Sequence, residues 1–236
     1  MATFVLVHGA WHGGWCYARV AKKLRAAGHD VFTPTHTGVG ERSHLAGSAE
    51  VNLSLHVKDV CQVIEYENLK DVILCGHSYG GMVISGVAAA LGDRIKSLVF
   101  LDAFVPEDGQ CLFDFLPAEL VAQFVAGAKA GGGRLPPIPA EAFNVNPADA
   151  AWVNATCVPQ AFATFGEPVK FTGKEKKVKN RTYILATGYD MHVFDQFHTK
   201  LKNDAAWKVT TVPCGHDVML DKPDELAKLL LEEVNR

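Results

Sequence analysis

An α/β fold on a mostly parallel sheet is predicted by three features of this sequence. Short β-type runs alternate with helical patterns, several runs are apolar on both faces, and one passes through a glycine-rich turn directly into a helix. Central parallel strands are covered on both sides, so they lose the in–out polarity of a half-exposed strand. The chain has 236 residues, 48% hydrophobic and 21% charged, which is enough for one large core in one α/β unit.

Strands are predicted at 3–8, 30–34, 71–76, 95–102, 181–187 and 207–213, each rich in Val, Ile, Leu, Phe or Thr. Helices are predicted at about 15–27, 52–67, 80–91, 192–203 and 222–234. The last has Leu226, Leu229, Leu230 and Val234 at helical spacing, with Pro223 near its start. The result is an about six-stranded sheet with helices on both faces. The alternation fails at 106–178, a stretch too long for a plain loop. It holds weak helical patterns around 117–129 and 147–165, separated by Gly131-Gly132-Gly133 and Pro136-Pro137-Ile138-Pro139. We read 1–105 with 179–236 as the core domain and 106–178 as an inserted helical cap over the carboxyl ends of the strands, where ligands sit in open α/β sheets.

The formal net charge of −3 argues against a nucleic-acid partner. The basic run from Lys174 to Lys179 is short, contains Glu175 and reads as a solvated loop. Gly38-Val39-Gly40 opens no helix after the first strand and lacks a third glycine, which excludes a dinucleotide fingerprint. The six cysteines form no C-x-x-C pair; free thiols in a reducing cytoplasm are expected. No leader and no membrane span are expected, because the first strand-like run begins at Thr3 and no long apolar stretch follows.

The chemistry concentrates in three loops. Asp71-Val72-Ile73-Leu74-Cys75 reads as a buried strand, Gly76-His77-Ser78-Tyr79-Gly80-Gly81 follows, and a helix begins at once. A serine on such a sharp turn is held in strained geometry with its hydroxyl exposed, and the flanking glycines let the two elements approach. The amino end of the following helix favours developing negative charge. Ser78 is therefore the candidate nucleophile. A serine hydroxyl needs a base, and with this turn the chain order is serine, acid, histidine. His216, in Cys214-Gly215-His216-Asp217 after the last strand, meets that order. For the acid, Asp190 after the strand 181–187 is preferred, and Asp102 at the end of the strand 95–102 is its rival. Two backbone donors are expected to hold the oxyanion: the N–H of Tyr79, next to the nucleophile, and that of Ala10 in His8-Gly9-Ala10-Trp11-His12-Gly13-Gly14-Trp15.

These segments carry a family likeness. Phe4-Val5-Leu6-Val7 with the loop from His8 to Trp15 resembles the opening of the plant methylesterase and hydroxynitrile lyase branch of the α/β-hydrolases. Gly40-Glu41-Arg42-Ser43-His44-Leu45 and Gly76-His77-Ser78-Tyr79-Gly80-Gly81-Met82 resemble bacterial esterases of that branch, including pyrethroid hydrolases. The resemblance covers most of the chain outside the cap. It implies the α/β-hydrolase fold, a Ser78–Asp190–His216 triad and an oxyanion hole at Ala10 and Tyr79. Plant hydroxynitrile lyases have a threonine after the early histidine and a lysine after the catalytic one; this chain has Gly9 and Asp217. Asp217 could not stabilise departing cyanide as that lysine does, which argues for ester hydrolysis.

The sequence thus leads to a serine carboxylesterase acting on small to medium hydrophobic carboxylic esters, with neither metal nor organic cofactor required. Hydroxynitrile lyase-like activity on the same site and a non-catalytic ligand receptor are the alternatives. Trp11, His12, Phe104, Trp152 and Phe162 are candidates for the substrate pocket, although packing of the cap would use the same residue types. Whether the chain forms a homodimer is left open.

Overall fold

The computed structural model describes residues 1–47 and 50–236. The strands and helices follow the chain as β1 (Thr3–Val7), α1 (Ala18–Ala26), β2 (Asp30–Phe32), α2 (Leu53–Tyr66), β3 (Val72–His77), α3 (Gly80–Leu91) and β4 (Ile95–Leu101). Then come α4 (Ala118–Ala130), β5 (Arg134–Leu135), α5 (Pro147–Thr156), β6 (Gln160–Ala161) and α6 (Ala163–Gly166). The chain ends with β7 (Asn180–Ala186), α7 (Asp195–Leu201), β8 (Trp207–Val212), α8 (Val218–Asp221) and α9 (Pro223–Glu232).

Six strands form one parallel sheet in the order β2-β1-β3-β4-β7-β8. Every residue of β3 is buried, as the apolar run from Val72 to Cys75 requires of a central strand covered on both faces. Helices surround the sheet, α1 packing with α9 and α2 with α3. Phe4, Leu6, Ile73 and Leu74 are fully buried, and each such side chain contributes about 1.5–3 kcal/mol. All six predicted strands are present, shifted by at most two residues at either end.

Helix boundaries follow local chemistry. Asn52 caps α2, its side-chain oxygen accepting from Leu55 N–H at 3.0 Å, and Pro223 opens α9 at the first helical position. The expected helix at 15–27 divides into a 3₁₀ turn, Gly14–Tyr17, and α1. The expected helical stretch 147–165 breaks after Thr156. Pro159 disfavours helical geometry at Val158, whose N–H instead donates to Trp11 C=O at 3.1 Å.

Because the sheet is parallel, the carboxyl ends of its strands share one edge. Segments leaving β1, β3, β4, β7 and β8 at that edge carry the residues discussed below. Residues 106–178 leave after β4 and return to β7. They contain α4, α5, α6 and a small antiparallel ladder of β5 with β6.

Candidate active site

Ser78 stands at the junction of β3 and α3 with φ 54°, a left-handed conformation that a side chain adopts only under local compulsion. Its N–H donates to Leu101 C=O at 3.2 Å, and its own carbonyl accepts from Gly81 and Phe104 N–H. The flanking glycines are steric requirements. A Cβ on Gly76 would lie 2.5 Å from Gly80 O, and one on Gly80 would lie 2.8 Å from the carbonyl oxygens of Val7 and His8. Strand, helix and first-strand loop therefore close on one another only with glycine at both places.

His216 follows β8 and is 2% exposed. Its N–H donates to Phe143 C=O at 2.9 Å, so residues 106–178 help to fix its backbone. Its ring stacks on Phe194 with centroids 5.2 Å apart and planes 10° apart. The carboxylate against it is Asp102: His216 Nδ1 donates to Asp102 Oδ2 at 2.6 Å. Asp102 is fully buried, and its other oxygen accepts from Ala186 N–H at 3.1 Å. Tyr189 O–H donates to the same Oδ2 at 2.5 Å and lies 3.2 Å from His216 Nδ1. Nδ1 is thus the ring nitrogen committed to the carboxylate.

The preferred acid, Asp190, is corrected by this arrangement. It is exposed to solvent, while the residue before it, Tyr189, turns inward and occupies the space beside His216. The rival Asp102 makes the contact. A sequence signal for it existed, since a carboxylate that follows the apolar run Leu98-Val99-Phe100-Leu101 must find a partner when buried. The inward tyrosine had no such signal.

Among the described residues, three of the six non-glycine residues with positive φ lie at this edge: Trp11 at 64°, Ser78 at 54° and Asp102 at 42°. Each such conformation costs roughly 1–3 kcal/mol, and the surroundings hold it. Trp11 N–H donates to Gln160 Oε1 at 2.9 Å and its indole N–H to Leu135 C=O at 3.1 Å. Among the described residues, the backbone N–H groups of Ala10 and Tyr79 donate to no protein acceptor.

Ser78 and His216 open into one cavity, together with Ala10 and Tyr79. Trp11 and Phe104 line it, as do Leu116, Leu120, Phe124 and Phe165 from residues 106–178. Three pocket candidates lie elsewhere. His12 is buried behind the loop, donating to Asp217 and Ala10. Trp152 is 42% exposed with its ring edge-on to Trp15. Phe162 packs behind the wall on Phe113, with centroids 5.0 Å apart. Aromatic residue type alone could not separate wall from packing, because both need large apolar surfaces.

Gly9 also has a geometric reason. A Cβ there would lie 2.8 Å from His77 Nδ1 and 3.0 Å from Ser78 Cβ, so the threonine of the plant lyases does not fit this backbone. Among the described residues no group of three or more His, Cys, Asp or Glu side chains could hold a metal ion.

Residues 4–229 match the alpha/beta hydrolase family. The chain belongs to that family, in its esterase branch. It is 54% identical to a carbendazim hydrolyzing esterase of Nocardioides sp. (strain SG-4G) over 98% of both chains. It is 34% identical to methylesterase 7 of Arabidopsis thaliana over 44% of this chain and 40% of that one. An extracellular alpha/beta-hydrolase from a Paenibacillus species superposes with a TM-score of 0.84, 29% identity and 99% coverage of both chains. A pyrethroid hydrolase from Sphingobium faniae JZ-2 shares the fold, at a TM-score of 0.74 and 23% identity over 99% of this chain and 97% of that one.

Proposed function

We propose that this esterase works through a Ser78–His216–Asp102 triad and an acyl-enzyme. One observation carries the reading: His216 Nδ1 is fixed 2.6 Å from the buried Asp102 carboxylate, while His216 and Ser78 open into the same apolar cavity. Ser78 Oγ attacks the ester carbonyl as His216 Nε2 takes its proton. The N–H groups of Ala10 and Tyr79 receive the oxyanion, and the amino end of α3 adds a favourable field. Asp102 holds the imidazole tautomer and stabilises the imidazolium. His216 then passes the proton to the departing alcohol, and water, activated by the same histidine, releases the acid.

The substrate class follows from the cavity. Apart from Ser78, Tyr79, Tyr189 and His216, its lining is apolar, which suits neutral, largely hydrophobic or aromatic esters. Residues 106–178 act as the cap that closes over them. Because the relative from Nocardioides is a carbendazim hydrolyzing esterase, methyl carbamates of aromatic heterocycles belong among the candidates. All six cysteines are free, which supports a reducing, cytoplasmic setting.

The test uses p-nitrophenyl butyrate and carbendazim with the wild-type chain and Ser78→Ala. The variant should keep the wild-type circular dichroism spectrum and lose at least about 10⁴-fold in kcat on both substrates it shares with the wild type. Retention of turnover by a folded Ser78→Ala chain would remove the assignment.

A further inference from the structure

A buried charged cluster lies behind the loop of Ala10, and none of the hydrolytic steps uses it. Asp217 follows His216 directly and is fully buried. An isolated carboxylate there would be strongly unfavourable. Its Oδ2 accepts from His12 Nε2 at 3.2 Å, and its Oδ1 lies 3.8 Å from His77 Nε2. The other nitrogen of His12, Nδ1, donates to Ala10 C=O at 2.7 Å. A histidine whose two nitrogens both face acceptors carries both protons. Burial pushes the His12 imidazole down, but Asp217 outweighs it and holds the group well above its ordinary value. Burial likewise pushes Asp217 up, and His12 more than offsets it, so the carboxyl is held well below the usual carboxylate range. The pair is therefore His12⁺–Asp217⁻.

His77 differs. Its Nε2–H donates to His216 C=O at 3.0 Å. Burial, reinforced by His216, pushes it far down, so it stays neutral. Three further titratable groups lie near the pair. Cys16 and Tyr17 face Asp217 from the turn Gly14–Tyr17 and are kept protonated by burial. Cys157, just after α5, faces His12. Around His216 the groups are Asp102 from β4, Tyr189 from the segment after β7, His77 from β3 and Asp217 from its own loop.

We propose that His12 and Asp217 are positioning residues whose buried ion pair ties the loop of the oxyanion donor Ala10 to the loop of the general base His216. The cation grips the carbonyl of Ala10, and the anion is the neighbour of the base. Neither loop shifts without separating opposite charges in a dry interior. Because the charges cancel, His216 feels Asp102 as its single uncompensated carboxylate. This role rests on the triad reading and gives the acid at position 217 a structural reason.

The experiment compares pH profiles of kcat/KM on p-nitrophenyl butyrate for the wild type, His12→Gln, Asp217→Asn and the double variant. His12→Gln leaves an unpaired anion beside His216, which favours the imidazolium. Its acid limb should move up by about one pH unit. Its kcat at the optimum should fall at least about ten-fold with little change in KM, as expected of a displaced oxyanion donor. Asp217→Asn should lower kcat without moving the limb upward, and the double variant should return the limb to its wild-type position. An acid limb of His12→Gln that coincides with wild type would overturn the proposal. If the variants fail to fold, ¹⁵N-resolved NMR of the wild-type chain decides. His12 should carry protons on both ring nitrogens at pH 7, and a neutral His12 would overturn the proposal. An inactive Ser78→Ala chain together with an unshifted His12→Gln profile would reject this inference alone. An active Ser78→Ala chain would reject the reading beneath it.

Discussion

The strand edge and the inserted segment 106–178 meet at one cavity, yet they are built by opposite rules. At the edge, Ser78, Asp102 and Trp11 adopt strained backbone conformations, and each is pinned by hydrogen bonds from neighbouring loops. The insertion supplies mainly interchangeable apolar surface, with Leu116, Leu120, Phe124 and Phe165 facing the cavity. Chemistry needs particular atoms at particular distances, whereas a hydrophobic wall needs only shape and bulk. Rate should therefore reside at the edge and substrate choice in the insertion.

That division can be broken most sharply at the edge, where Ser78→Ala should abolish turnover of every ester alike. A substitution in the insertion should act selectively. Phe124→Ala is expected to change the ratio of kcat/KM between p-nitrophenyl octanoate and p-nitrophenyl acetate by about ten-fold, with the acetate rate nearly unchanged. Equal losses on both esters would place Phe124 in the chemistry and not in selection. The smallest effect concerns stability and belongs to the core. Burial pushes His56 down to about 4 and His8 down to about 3 from an ordinary 6.5, and His36 is lowered as well. The unfolded chain therefore binds protons that the folded chain refuses, so stability falls as pH drops from about 6.5 toward 4 and then 3. Urea unfolding at pH 7 and pH 5 should show a loss of a few kcal/mol. Equal stability at both values would contradict neutral burial of these rings.

Much of the edge was legible in the sequence, because its elements have local causes. The apolar runs placed all six strands, and the glycines around Ser78 and the loop after β8 placed the serine and His216. The acid was harder. Asp190 and Asp102 both follow strands that end at the site edge, and strand order alone does not say which side chain turns inward. Tyr189 decides this by filling the position beside His216, a tertiary fact with no local signature. The insertion was least legible. Trp152 and Phe162 have the composition of a pocket wall but pack elsewhere; outside the insertion, His12 after β1 pairs with Asp217 instead of lining the pocket.

The most direct test of the central claim, that His216 is held by Asp102, is a parallel measurement of kcat/KM for Asp102→Asn and Asp190→Asn. Asp102→Asn should lose at least about a hundred-fold, because the amide favours the wrong tautomer of His216, whereas Asp190→Asn should keep wild-type activity. A large loss in Asp190→Asn with Asp102→Asn near wild type would contradict that claim.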